Sequence, residues 1–479
     1  MKNKRIKNKS LIFGILLLMS SCVPKSLVLN NKNENKSVPE RFNNAQDSTN
    51  TAKMIWKEYF TDSSLLGLID TALRNNQELN ITLQEIEIAR NEIGYRKGEY
   101  KPFVTLGGGA GIEKVSRYTS QGAADAATEI KDGIATPEIL PNTYFGAFAS
   151  WEVDIWHKLR NAQKVAATNY LASIEGKNFL VTNIVGEIAN SYYELMALDN
   201  QLDIIKKNIV ILTNALSIIR QEKEAAKVSE LAVRRFEAEV FKTQSLQYDI
   251  QQKITVTENR INFLAGRFPQ HIQRNSERFN ELMPNKVYTG VPTQLLENRP
   301  DIRQAELKLE AAKLDITVAK ANFYPSLRLG AALGFRSFNP LLLAHIPESI
   351  MSSVAGDLMG PLINKNAIIA TYKNANVKQI QAVFDYEKTI LNAYMEVANQ
   401  LSNTDNLTKN YAMKNNQVQA LTQSTEISLK LFKSARADYM EVLLTQRDVL
   451  ESRMELIEIR MKQMNALVNT YRTLGGGWN

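Results

Sequence analysis

Two periodicities alternate along the chain. Leu195, Leu198, Leu202, Ile205, Ile209, Leu212, Leu216 and Ile219 follow one another at spacings of three and four. Leu450, Met454, Ile457, Met461, Met464, Val468 and Tyr471 do the same near the other end. A mean apolar period of 3.5 predicts helices packed in pairs along a narrow seam. No proline interrupts Asn142 to Phe268, or Leu362 to the C-terminus. Each span therefore has room for two antiparallel helices, and a helix of ~60 residues would be about 90 Å long.

Four short stretches break this pattern. In PSLRLGAALGFRSF (Pro325 to Phe338), Leu327, Leu329, Ala331, Leu333 and Phe335 fall on one side. Arg328, Gly330, Ala332, Gly334 and Arg336 fall on the other. This is a strand with one apolar and one polar or small face, the pattern of a membrane-barrel strand or of a soluble strand half buried on a core. TYFGAFASWEVDIW (Thr143 to Trp156) alternates likewise, with Phe145, Ala147, Ala149, Trp151 and Val153 on one face. PFVTLGGGAGIEKV from Pro102 and SIMSSVAGDLMGPL (Ser349 to Leu362) complete the set. Strands are expected at about 102–118, 142–155, 325–338 and 349–362, paired across loops rich in small and polar residues.

The pattern occurs twice. Shifted by 223 residues, Leu73 to Gly111 falls on Leu296 to Gly334 with ten of 39 positions identical, among them Pro102 on Pro325 and Gly111 on Gly334. NSYYE (Asn190 to Glu194) is echoed by NAYME (Asn392 to Glu396). Each repeat reads as helix, strand, strand, long helical hairpin, and internal repetition governs the architecture. Four strands cannot close a barrel, and an open edge cannot face lipid. Twelve strands from three copies is a closed number, with the helices continuing as coiled coils. The fold class expected is mainly α with a transmembrane β-barrel.

Composition adds the compartment. Residues 1–21 carry Lys2, Lys4, Arg5, Lys7 and Lys9, no acid, and the apolar run Leu11 to Met19. That run is too short for a membrane helix and reads as an export signal. Five of the +8 formal charges lie there, so the remainder carries +3 and suggests no nucleic-acid partner. The single cysteine, Cys22, ends LLLMSSC.

At this point the residues resemble a family. WEVDIWHKLR (Trp151 to Arg160), NRPDIRQAEL (Asn298 to Leu307), FYPSLRLGAALGF (Phe323 to Phe335), LLTQRDVLESR (Leu443 to Arg453) and LGGGW (Leu474 to Trp478) are similar, in order, to segments of the TolC-like outer membrane factors. The likeness is specifically to the OprM/NodT-type efflux lipoproteins. The resemblance covers roughly residues 55 to 478. It implies a homotrimer in the outer membrane that serves as a passive exit duct for small molecules. An inner-membrane pump of RND type would supply the energy, and a periplasmic adaptor would join pump to duct. LLLMSSC resembles a lipobox, with Cys22 the lipidated first residue of the mature chain. The domains implied are a signal peptide (1–21), a lipid-anchored tether (22–61), a first efflux repeat (62–270), an equatorial linker (271–292) and a second repeat (293–479).

Alignment on the family's Gln-Arg pair, here Gln446 and Arg447, puts Met440 at an apolar constriction and Arg447 at a basic gate position. Leu444 stands where relatives often carry Asp. Arg447 then needs another partner, for which Asp438, Asp448 or a neighbouring copy are the candidates. The turns near Lys227 and Ser229, and near Ala437 and Asp438, are the expected periplasmic tips and adaptor contacts.

The sequence carries no catalytic pattern. His157, His271 and His345 are far apart, and HExxH, CxxC, GxSxG and Walker patterns are absent. No enzyme activity, metal or cofactor is expected. In NRPDIRQAEL, Pro300 suits a first helical turn and Asp301 complements the helix N-terminus. The competing reading is a lipid-anchored periplasmic coiled-coil adaptor or scaffold, which would carry a lipoyl-like β-domain in place of two amphipathic strand pairs.

Overall fold

The structure, a computed structural model, describes residues 32–42, 51–280, 288, 290–434 and 436–478. The main helices are α1 (Ser63–Asn75), α2 (Gln77–Glu99), α3 (Lys158–Glu224), α4 (Glu230–Leu264), α5 (Pro300–Ala321), α6 (Asn366–Lys433) and α7 (Tyr439–Thr473). The main strands are β1 (Phe103–Glu113), β2 (Leu140–Val153), β3 (Ser326–Ser337) and β4 (Ile350–Met359). The chain divides into two compact units. One includes Glu87–Tyr170 and Leu307–Val383; the other comprises Glu34–Ile86, Leu171–Glu306 and Phe384–Asn479.

The first unit holds a four-stranded sheet in the order β1-β2-β3-β4, antiparallel throughout. Its central pairing joins the repeats. Phe145 lies opposite Phe335, Ala147 opposite Leu333, Ala149 opposite Ala331, Trp151 opposite Leu329 and Val153 opposite Leu327. The apolar faces of β2 and β3 therefore coincide position by position, as a period of two requires once register is set. Beneath the sheet, Ala319 and Phe323 pack on Tyr372 and Ala375.

The expected loop between β1 and β2 is more ordered than its composition suggested. It contains a helix, Ser120–Ala127, whose N-cap Thr119 accepts from the Gly122 amide. A two-stranded ribbon, Glu129–Lys131 with Ile134–Ala135, follows. Gly122 fits only because it lacks a side chain, since a Cβ there would sit 2.1 Å from the Ser116 carbonyl oxygen.

The second unit holds the helical hairpins from Leu171 and from Phe384 onward, and its core draws on both repeats. Leu65, Ile69, Ile188, Leu195, Ile261 and Val468 are buried in one cluster. Tyr59 stacks on Tyr471 at 4.1 Å, and burial raises the phenol pKa values of both. The hairpins are unequal. α3 has 67 residues and α4 has 35, and α6 has 68 against 35 in α7. The α3/α4 seam is the apolar row read from the sequence: Ile205 and Leu198 meet Ile250, and Leu212, Leu216 and Ile219 meet Val233, Phe236 and Val240. The α6/α7 seam is more polar. Ser428 and Thr445 share a hydrogen bond of 3.0 Å, and Lys414 pairs with Glu455 at 2.6 Å.

Helix ends follow local chemistry. The Asp62 side chain accepts from the amides of Ser64 and Leu65 to start α1. α4 and α7 both end in a glycine-turned motif. Gly266 (φ +65°) follows α4, with the Arg267 amide donating to Asn262 O; Gly475 (φ +95°) follows α7, with the Gly476 amide donating to Tyr471 O.

Candidate conduit, gate and tip residues

The sheet is built to be two-faced. Register places Leu106, Phe145, Leu329, Leu333, Val354 and Leu358 on one side. Leu106 is 77% exposed and Val354 87%, so in the single chain this side is bare apolar surface. The other side carries Thr105, Tyr144, Glu152, Arg328, Arg336, Ser353 and Asp357 among glycines and alanines. Among the described residues, β1 and β4 each pair on one side only. No helix among the described residues is long and apolar enough to cross a membrane.

The sequence motifs turn out to fasten elements together. In WEVDIWHKLR, Asp154 accepts from the amides of Leu159 and Arg160, each at 3.0 Å, and pairs with the Arg160 guanidinium at 3.2 Å. Burial pushes this carboxyl up, but those two amides and the guanidinium outweigh it and hold its pKa below the ordinary value. His157 takes φ +58° so that the strand can turn straight into α3. Trp156 donates to Pro325 O at 2.7 Å and stacks on Tyr324 at 4.6 Å, which ties this motif to FYPSLRL.

In NRPDIRQAEL, Pro300 opens α5, and Asp301 accepts from the Ile302 amide. Arg299, to which the sequence pattern assigns no role, is the central residue. Its side chain is 5% exposed, forked onto Asp301, and bonded to Glu396 (2.8 Å) and Thr473 O (2.9 Å). Its counterpart one repeat earlier, Asn76, donates to Leu264 O. In both repeats the residue before a short helix thus binds the last carbonyl of a returning long helix. The 223-residue shift held this information, because it aligns 76 with 299.

Met440, Leu444 and Arg447 lie on one face of the first turns of α7. Met440 is half-buried, with Arg235 Nη1 donating to its sulfur at 3.3 Å. Leu444 is 39% exposed. Arg447 Nη2 lies 3.6 Å from Asp448 Oδ1, with both side chains 46% exposed. An exposed pair of this kind contributes about 0–1 kcal/mol. Lys227, Ser229 and Asp438 are exposed and Ala437 half-buried. Ser229 and Asp438 are the N-cap positions of α4 and α7. The two turns are brought together by packing, with Phe432, Tyr439 and Leu443 on the cluster of Ile219, Val233 and Phe236. Sequence reasoning missed the charge network beside the first turn. Lys223 and Arg234 hold Glu230, and Arg220 and Arg234 hold Glu237, at 2.6–2.9 Å. Hydrogen bonds from Lys223 and Arg220, respectively, lead in lowering these carboxyl pKa values. Three-, four- and seven-residue charge spacings were the available signal. Cys22 lies outside the described residues.

The chain matches the outer membrane efflux protein family over residues 68–267 and 291–476. It belongs to that family. The toluene efflux pump outer membrane protein TtgI of Pseudomonas putida is 28% identical over 438 residues, covering 91% of this chain and 90% of the relative. The probable outer membrane lipoprotein SilC of Salmonella typhimurium is 24% identical over 478 residues, covering 98% and 99%. The open-state structure of the Neisseria gonorrhoeae outer membrane channel MtrE shares the fold, with a TM-score of 0.82, 20% identity, and coverage of 94% of this chain and 98% of that one. Family membership places the chain in the outer membrane as an efflux component, a class of channels and not of enzymes.

Proposed function

We propose that three copies of this chain close a 12-stranded barrel, continued into the periplasm by the paired long helices, as the exit duct of a tripartite efflux system. The observation that carries this is the sheet: one bare apolar face, one polar face, and two open edges. In lipid, unpaired edges are removed only by closure, which four strands cannot achieve alone. Apolar stripes at seven-residue spacing support a multimer as well. Ile81, Ile88 and Tyr95 are exposed on α2, the helix leading into edge strand β1. Val377, Phe384 and Leu391 are exposed on α6, the helix following edge strand β4.

The duct is passive, driven by an inner-membrane pump of RND type through a periplasmic adaptor that contacts the turns at Lys227, Ser229, Ala437 and Asp438. Residues 1–21 are removed as a signal and Cys22 carries lipid, in keeping with a relative named as a lipoprotein. The tether (22–61), the repeats (62–270 and 293–479) and the linker (271–292) divide the remainder. Met440 and Leu444 form an apolar constriction that closes by packing and dewetting. Arg447 contributes little to the lock, because its neighbour Asp448 is exposed.

Detergent-solubilised protein is expected to run as a trimer and to give single channels in planar bilayers. Monomeric, water-soluble mature protein would refute the duct. Enzymatic removal of the lipid separates it from an anchored adaptor, since a barrel stays in the membrane and an adaptor washes off. Arg447→Ala is expected to raise single-channel conductance modestly. Unchanged conductance together with unchanged drug sensitivity of cells would remove Arg447 from the gate.

A further inference from the structure

Arg336 of β3 and Glu113 of β1 lie toward the far end of the polar face, and the other charges of that face form one row. Glu152 of β2 lies opposite Arg328 of β3, which lies opposite Asp357 of β4, so one transverse row reads acid, base, acid. Arg328 Nε is 3.8 Å from Glu152 Oε2, and its side chain is 65% exposed. Lys158, at the start of α3, reaches Glu152 Oε1 at 4.0 Å. The next polar-face positions along the sheet are Ser150, Gly330 and Ala355, then Phe148, Ala332 and Ser353, none of them charged. The row therefore stands alone at the end of the sheet that joins the helices. It borders an open cleft of about 350 Å³ between Glu152, Lys158, Arg328, Trp156 and Tyr324.

We propose that Arg328 sets the charge selectivity of the conduit by cancelling a carboxylate row that would otherwise favour cations. The inference rests on closure of the sheet by three copies, which turns the row into a ring facing the lumen. Strands sit about 4.8 Å apart, so Glu152 and Asp357 flank Arg328 at roughly 10 Å from each other. That is close to one screening length, about 8–10 Å at ordinary salt, so the three charges act on a passing ion together. Low-dielectric barrel walls concentrate their field in the lumen. With Arg328 in place, Glu152 and Asp357 are balanced by Arg328 and Lys158. Without it, each copy presents an uncompensated carboxylate to every charged permeant. The row thus discriminates by charge among compounds delivered from the periplasmic side, independently of shape.

The test is the reversal potential of purified trimers in planar bilayers under a KCl gradient. Arg328→Gln is expected to raise the potassium-to-chloride permeability ratio several-fold, and Asp357→Asn to lower it. The double variant should return close to the unsubstituted protein. Both shifts should shrink in about 1 M salt, where the screening length is about 3 Å. Conducting Arg328→Gln channels with an unchanged reversal potential would overturn the inference. If Arg328→Gln does not assemble, Asp357→Asn decides alone, and no anion-ward shift overturns it. Failure of the unsubstituted protein to conduct overturns the duct itself, and this inference with it.

Discussion

Gly475 shows how a single residue is fixed by its surroundings. Its φ of +95° suits only glycine, and a Cβ there would lie 2.5 Å from the Asn298 carbonyl oxygen. Gly266 repeats the situation, 2.2 Å from Asn75 O. Gly475→Ala should cost roughly 2 kcal/mol or more, from backbone strain plus the clash. It should appear as a lower Tm of the detergent-solubilised protein, and an unchanged Tm would contradict the close approach. Asp154 gives a pH signature. Its native pKa is depressed, so its stabilisation is present above the unfolded value of about 3.9 and is lost as pH falls through the lower native value. Asp154→Asn should lower Tm at pH 6 and flatten the loss of Tm below about pH 4; an equally steep acid loss in the variant would exclude this role. Both motifs were visible in the sequence, but their partners were not. Arg299 meets Glu396 and Thr473 across 97 and 174 residues, and no local pattern encodes that.

At the scale of elements, the helical seams were legible because a 3,4 spacing sustained over eight apolar residues fits a helix and cannot fit a strand. The strand positions were legible in β3, where large apolar and small or charged residues alternate. They were faint in β4, where the adjacent Ser352 and Ser353 put polar groups on both faces. The unequal hairpins were not legible in the apolar period alone, since the turns that end α3 and α6 contain neither proline nor glycine; the turns expected near Lys227 and Ser229, and near Ala437 and Asp438, fall just past those helix ends. The turn after α3 is more unusual than its sequence suggests. The Lys227 amide donates to Glu222 O and the Ala226 amide to Lys223 O, which closes the helix through Ala226 at φ +53°. Alanine there costs about 1 kcal/mol relative to an unstrained backbone, where α4 and α7 use glycine for the same job. Ala226→Gly should therefore tighten the turn. Slower amide hydrogen exchange across 222–230 would show it, and faster exchange would mean that the strain is offset elsewhere.

At the scale of the whole molecule, the sequence carried the need for closure before any geometry did: four amphipathic strands and no membrane helix leave lipid as the partner of one face. What it could not carry, in β4, was which residue of each adjacent pair faces out, because a slip of one position inverts every side chain. Register decides this for β4, where Val354 opposite Ala331 shares the apolar side and Ser353 opposite Ala332 shares the polar side. Neighbouring positions should then respond in opposite ways to the same substitution. Val354→Arg puts a charge into hydrocarbon at a cost of about 2–4 kcal/mol per copy near the midplane, tripled by symmetry in a trimer. Ser353→Arg puts the same charge into water. Trimer yield in the outer membrane should fall sharply for Val354→Arg and hold for Ser353→Arg, whose assembled channels should conduct less because the lumen is narrowed. Equal tolerance of the two, or the reverse order, would mean that the sheet meets the membrane with its other face and that the charge row looks outward.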